Sequence, residues 1–266
     1  MAPTTICLAT RKGGVGRTTL CVNLAGSYAK LGARVLCLDL DGQASLSRTF
    51  FGSTEVERLR PEQTVAALFA DDNCDLIRPT RFDRISVVPS GSAIEQFASA
   101  RSDDCERDQH IVPNYLESLG EQYDLVLIDT PPQMNISTVF SALAASHHVL
   151  SPTPADPFGV QAISNLLDLV AAVQSRANPG LQVIGYVISM IQRNSVNDAY
   201  RRMLRKLHGS QVLDTEIPLA AAIKEAITER SPISHFKPRN KTAKIIDQLA
   251  EEIRIRVQAD SKRKVA

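Results

Sequence analysis

The opening stretch constrains the fold most. Thr4 to Thr10 reads as a short buried strand, and Thr18 to about Leu31 as a helix capped by Gly32. Between them lies a loop in which Gly13, Gly14 and Gly16 fall within four positions. A strand that turns through glycines straight into a helix is the first half of a crossover unit, whose next strand lies parallel to the first. Later segments keep the alternation. Strand-like runs fall at 34–39, 85–89, 123–128, 147–151 and 182–189, with a short one at 214–217. Helical patterns fall near 61–70, 159–174, 196–207 and 242–257. The expected fold class is therefore α/β, a mostly parallel twisted sheet with helices on both faces. In such sheets ligands bind at the carboxyl ends of the strands.

Composition narrows the setting. With 44% hydrophobic and 22% charged residues over 266 positions, the chain can bury a large core without disulfides or a structural metal. Residues 1–266 are read as one domain, with 258–266 as a basic, flexible tail. The five cysteines (Cys7, Cys21, Cys37, Cys74 and Cys105) contain no C-x-x-C pair. Cys7 and Cys37 sit inside apolar strand runs, as small buried hydrophobes do. These features, with no visible signal peptide and no apolar run long enough to span a membrane, point to a cytoplasmic protein. Charge is uneven. Residues 1–192 carry 14 Lys/Arg against 20 Asp/Glu, a balance of −6, whereas 193–244 carry 11 against 5, a balance of +6. A basic face late in the chain is expected.

Three segments carry the chemistry, each after a strand. In the first, the glycines of Lys12-Gly13-Gly14-Val15-Gly16-Arg17-Thr18-Thr19 let successive N–H groups point inward. With the helix N-terminus they form an anion site, and Thr18 is placed to offer a hydroxyl to Mg²⁺. Asp39-Leu40-Asp41-Gly42-Gln43 follows the second strand. Leu125 to Pro132 is a buried strand that ends in Asp129-Thr130-Pro131-Pro132.

Together these segments resemble the ParA/MinD family of deviant-Walker P-loop ATPases, whose loop reads K-G-G-x-G-K-[ST]. The resemblance implies ATP and Mg²⁺ as cofactors and Lys12 to Thr19 as the phosphate-binding set. It gives Lys12 a role across an ATP-sandwich dimer, on the partner's phosphates. It assigns Asp39 to the water shell of the metal, Asp41 to orienting the attacking water, and Thr18 and Asp129 to the metal. Arg17 stands where the family has lysine, and Gly42 where it has proline. Arginine keeps the charge but is bulkier than a point-like ammonium, which bears on phosphate geometry and hydrolysis.

The likeness extends along the chain. Val87 to Gly91 resembles the family's "IPSG" strand end, and Pro152-Thr153-Pro154 its "V-x-P" segment. Ile217-Pro218, Lys224-Glu225-Ala226 and Ser231-Pro232-Ile233 are similar to the ParA stretch "IP…SEA…KPI", which adds Pro218 to the nucleotide set. Ala222 stands where that stretch often has arginine. Gln43 favours ParA over MinD, and the start of the loop at residue 11 leaves no room for an N-terminal helix-turn-helix.

The resemblance implies a ParA-like ATPase that positions plasmid, chromosome or protein cargo. Its partners would be a second copy in the ATP state, nonspecific DNA, and a ParB-like or cargo-adaptor protein that stimulates hydrolysis. The expected location is the cytoplasm, on the nucleoid, without stable membrane association. For DNA, the candidates are Arg201, Arg202, Arg205 and Lys206 on one helix, with Val196, Tyr200, Met203, Leu204 and Leu207 as its apolar stripe, and then Arg230, Lys237, Arg239, Lys241 and Lys244. Two alternatives stay open: a MinD-like membrane-surface regulator, and a nucleotide-gated DNA-binding module that hydrolyses little because of Arg17.

Overall fold

The computed structural model describes residues 3–70, 75–98, 102–133 and 136–265, so Cys74 lies outside the described residues. The chain runs β1 (Thr4–Leu8), α1 (Arg17–Lys30), β2 (Val35–Asp39), α2 (Ser45–Phe51), α3 (Ser53–Glu57), α4 (Ala66–Phe69), β3 (Arg78–Pro79) and β4 (Ile85–Val88). It continues through α5 (Ser102–Asp108), α6 (Ile111–Ser118), β5 (Leu125–Asp129), α7 (Ser137–Ala144), β6 (His148–Pro154) and α8 (Pro157–Arg176). β7 (Gln182–Ser189), α9 (Ser195–His208), α10 (Ala221–Thr228), α11 (Ile233–Phe236) and α12 (Lys241–Val265) complete it.

Seven strands form one sheet in the order β3-β4-β2-β5-β1-β6-β7. All pairings are parallel except that of the two-residue edge strand β3 with β4. Alternate strand residues face opposite layers, as a pleat requires. Cys7, Leu36, Leu38, Val126 and Ile128 pack with α4, α6, α7 and α8. Ile6, Leu8, Val35, Cys37, Leu125 and Leu127 pack with α1, α10 and α12. Both faces are covered, as the unbroken apolar runs predict.

Local chemistry sets the boundaries. α1 ends in a Schellman motif: Gly32 is left-handed (φ 93°), its N–H donates to Ala29 O, and that of Ala33 donates to Tyr28 O. α8 begins at Asp156, whose side chain accepts from Gly159 N, with Pro157 in the first turn. α12 turns Ile246, Leu249 and Ile253 into the core.

Three expectations are corrected. The helix expected over 61–70 is a 3-10 turn (Pro61–Gln63) followed by the single turn α4, because Thr64 is extended and Val65 N donates to Pro89 O. The strand expected at 214–217 does not form. That segment runs beside β7 through isolated bridges at Val212 and Pro218, while Glu252 of α12 takes the N–H groups of Asp214 and Thr215. The closing helix, expected over 242–257, runs on as α12 to Val265, since no glycine or proline interrupts it.

Candidate nucleotide site

The sheet brings the three chemical segments to one level. Leu8 of β1 and Asp39 of β2 are both register partners of Asp129 on β5. The glycine loop, the Asp39–Gln43 turn and the Asp129–Pro132 turn therefore leave three adjacent strands side by side. They border a cavity of about 490 Å³. Lys12 to Thr19 line one part of it, and Met190, Ile217, Pro218, Leu219 and Ala220 another.

Gly14 and Gly16 have φ of 72° and 88°, the left-handed region that a side chain disfavours. Nothing lies within 4 Å of a Cβ at either position, so the requirement there is conformational rather than steric. Val15 is buried, and the hydroxyl of Ser189 at the end of β7 donates to its carbonyl (2.9 Å), fixing the loop against the sheet.

Thr18 Oγ1 donates to Asp129 Oδ2 at 2.6 Å. Asp129 is fully buried and its Oδ1 has no hydrogen-bond partner; neither has the buried Thr10 Oγ1. Hydroxyl and carboxylate oxygens left short of donors are the hard ligands that Mg²⁺ takes, so these residues fit the implied metal. Burial raises the Asp129 pKa, while the Arg17 guanidinium and the Thr18 hydrogen bond pull it down.

Asp39 is equally buried but faces another way. Its Oδ2 accepts from Ser47 N (2.9 Å) and Ser47 Oγ (2.7 Å), and its Oδ1 from Asp41 N (3.2 Å). It ties the turn after β2 to the start of α2. Burial, then repulsion from Asp129, raises its pKa. Asp41 borders the cavity, and its Oδ1 accepts from Gln43 N (2.9 Å). At Gly42 a Cβ would come within 2.6 Å of the Glu95 side chain, so a proline there requires Glu95 to move.

Arg17 does not reach into the cavity as a free arm. It is 7% exposed and folded back, with Nη1 donating to Thr10 O (3.0 Å). Its Nε lies 3.5 Å from Asp129 Oδ1, and its Nη2 3.8 Å from Asp41 Oδ2. Lys12 is half-buried, hydrogen-bonded to Asp156 Oδ2, with its ammonium 5.1 Å from the centre of the Phe158 ring. Sequence reasoning missed Asp156, Ser47 and Glu95. Asp156-Pro157 carries the signature of a helix start, which locates a cap but not a partner for Lys12.

The basic candidates divide. Arg201 and Arg205 both bond Glu216, and Arg201 also bonds Asp198. Arg230 leans on the Phe51 carbonyl, and Lys237 pairs with Glu225. Arg202, Lys206, Arg239, Lys241 and Lys244 are exposed. The expected apolar stripe of α9 is corrected. Leu204 is buried, but Val196, Met203 and Leu207 are about half exposed, at 58%, 45% and 54%. Leu204 and Tyr200 pack against the core, while Arg201 and Arg205 turn onto Glu216.

Residues 3–183 match the family model described as an AAA domain. The chain is 32% identical to the chromosome-partitioning ATPase Soj of Thermus thermophilus over 95% of its own length and 96% of the relative's. It is 30% identical to the sporulation initiation inhibitor protein Soj of Bacillus subtilis, over 93% and 97%. Among solved structures, cobyrinic acid a,c-diamide synthase from Mycobacterium smegmatis with bound ADP and magnesium shares the fold. Its TM-score is 0.76 at 20% identity, covering 94% of this chain and 93% of that one. With its glycine loop, its two carboxylate turns and these relatives, the chain belongs to the ParA/MinD family of P-loop ATPases.

Proposed function

We propose that this chain is a ParA-type positioning ATPase that binds ATP with Mg²⁺, pairs with a second copy around the nucleotide, and in that state binds DNA without sequence preference. The carrying observation is the convergence on one cavity of the glycine loop, Asp41 and Thr18, whose hydroxyl is bonded to the buried Asp129 behind it. The loop N–H groups and the α1 N-terminus hold phosphates. The apolar part of the cavity, with Met190 and Pro218, takes the base. Thr18 and Asp129 would hold the metal, which would neutralise phosphate charge. Asp41 orients the attacking water, and Asp39 sets the turn that carries Asp41. Lys12 leaves Asp156 to reach the partner's phosphates.

Four exposed cations within eight residues, Lys237, Arg239, Lys241 and Lys244, support DNA binding at the corner between α11 and α12. Arg202 and Lys206 on α9 add to the candidates. A ParB-like or cargo-adaptor protein would stimulate turnover and release the DNA. Among the described residues no helix is long and apolar enough to cross a membrane.

The test is light scattering with Mg²⁺ and a slowly hydrolysed ATP analogue. The chain is expected to double in mass, and Lys12→Ala to stay monomeric while keeping its fold. A Lys12→Ala chain that dimerises like the parent would remove the cross-dimer role.

A further inference from the structure

Arg17 is the only buried arginine or lysine among the described residues, and it faces Asp129, the carboxylate assigned to the metal, and Asp41. The Thr18 hydroxyl occupies one oxygen of Asp129, and the Arg17 Nε approaches the other at 3.5 Å. The second arm of the guanidinium lies 3.8 Å from Asp41, and its third nitrogen is held on the Thr10 carbonyl, two residues beyond β1. A planar fork on a long stem can reach these three places together; a single ammonium cannot. A guanidinium also cannot shed its proton, so its charge stays in place whatever the burial.

The hold is close but unsealed. At 3.5 Å the Arg17 Nε and Asp129 Oδ1 are both buried, and both lack a hydrogen-bond partner. A buried donor and acceptor left in that condition favour a rearrangement that satisfies both. Phosphate oxygens would satisfy the fork, which binds them two-pronged. A divalent ion would satisfy the carboxylate. The two cations cannot share Asp129 at these distances without strong mutual repulsion in a buried setting.

We propose that Arg17 and the divalent metal exclude each other at Asp129, so that metal enters only when nucleotide phosphates draw the guanidinium away. This rests on the nucleotide reading above. It makes Arg17 a positioning residue that couples nucleotide to metal, so that the empty chain needs no metal to balance Asp129.

Mn²⁺, read by electron paramagnetic resonance as loss of the free-ion signal, tests this on the full chain without nucleotide. The parent is expected to bind Mn²⁺ weakly, and Arg17→Gln about tenfold more tightly, the scale on which one neighbouring charge acts. Arg17→Gln with Asp129→Asn should lose that gain. An ATP analogue should tighten Mn²⁺ binding by the parent far more than by Arg17→Gln. Arg17→Lys, which cannot span the three contacts, should fall between the two, and it decides the matter if Arg17→Gln does not fold. Equal Mn²⁺ binding by the nucleotide-free parent and by the folded variants would overturn the exclusion. A parent that binds no ATP analogue at any Mn²⁺ concentration would instead sink the nucleotide reading, and the nucleotide-free comparison would still decide the exclusion.

Discussion

Arg17 shows how one side chain can alter a site whose frame is otherwise standard for its fold. Transferring a phosphoryl group needs positive charge that follows the moving oxygens. A compact ammonium can do so, whereas a fork anchored on Thr10 and facing Asp129 fits the resting site. Arg17→Lys is therefore expected to raise turnover several-fold at saturating ATP, measured as phosphate release with DNA and partner present; no gain would show that arginine serves equally well. Asp41 allows a second test. Its Oδ1 holds the Gln43 amide, and its side chain borders the cavity. Asp41→Ala should lower kcat by about 100-fold, the scale on which a proton-handling group acts, while ATP affinity stays near the parent's. Loss of ATP binding would place Asp41 in the metal site instead. Away from the cavity, Asp124 is held at about 2, chiefly by the Arg34 side chain and then by the Arg34 backbone N–H. Its folded pKa lies below the unfolded one, so its contribution to stability is full above about pH 4 and fades as pH falls through about 2. Carboxyl NMR should show Asp124 titrating last among the exposed aspartates. That the glycine loop, Asp41 and Asp129 would meet was legible in the sequence because each segment follows a strand of one parallel sheet. The Asp156 partner of Lys12 was not, because 144 residues separate the two and only the sheet order brings them together.

At the scale of elements, α9 is the instructive case. Its sequence carries a strong apolar period, and periodicity alone assigns Val196, Met203 and Leu207 to the core with Leu204. The structure buries Leu204 alone of these and turns Arg201 and Arg205 onto Glu216. Period fixes that a helix forms; the choice of inner face depends on what the neighbouring segment offers, here a carboxylate 13% exposed. Urea denaturation can read this directly. Leu204→Ala should cost about 2–4 kcal/mol as a core truncation, whereas Met203→Ala should stay within about 0.5 kcal/mol as a surface change. Similar costs for the two would restore the single stripe. The 61–70 segment teaches the same lesson. Its proline start and apolar residues promise a helix, and one backbone bond from Val65 to Pro89 is enough to break it.

For the whole molecule, the alternation of strands and helices predicted the parallel sheet, its two covered faces and the edge on which the site lies. Sequence could not rank the basic residues, because their availability depends on which carboxylates the fold sets beside them. Arg201 and Arg205 are neutralised within their own subunit, while Arg239, Lys241 and Lys244 project from the corner where α12 begins. This shifts the DNA-binding expectation toward that corner. One subunit can engage few phosphates, and a dimer engages twice as many on one rigid body. Because each phosphate neutralised releases a counterion, affinity multiplies with the number engaged, so ATP-driven pairing should switch binding on and make it steeply salt-dependent. Replacing Arg239, Lys241 and Lys244 with Gln should weaken binding to all DNA sequences alike. It should also flatten the slope of log affinity against log salt by roughly one unit for each phosphate no longer neutralised. Pairing with the ATP analogue should persist, because Lys12 and the glycine loop follow β1, whereas the three replaced residues sit at the corner between α11 and α12. Fluorescence anisotropy over a salt series, with the dimer confirmed by light scattering, measures both quantities in one preparation. If the triple variant pairs and keeps the parent's slope, the α11–α12 corner is only a solvated surface, and Arg202 and Lys206 on α9 become the next residues to neutralise.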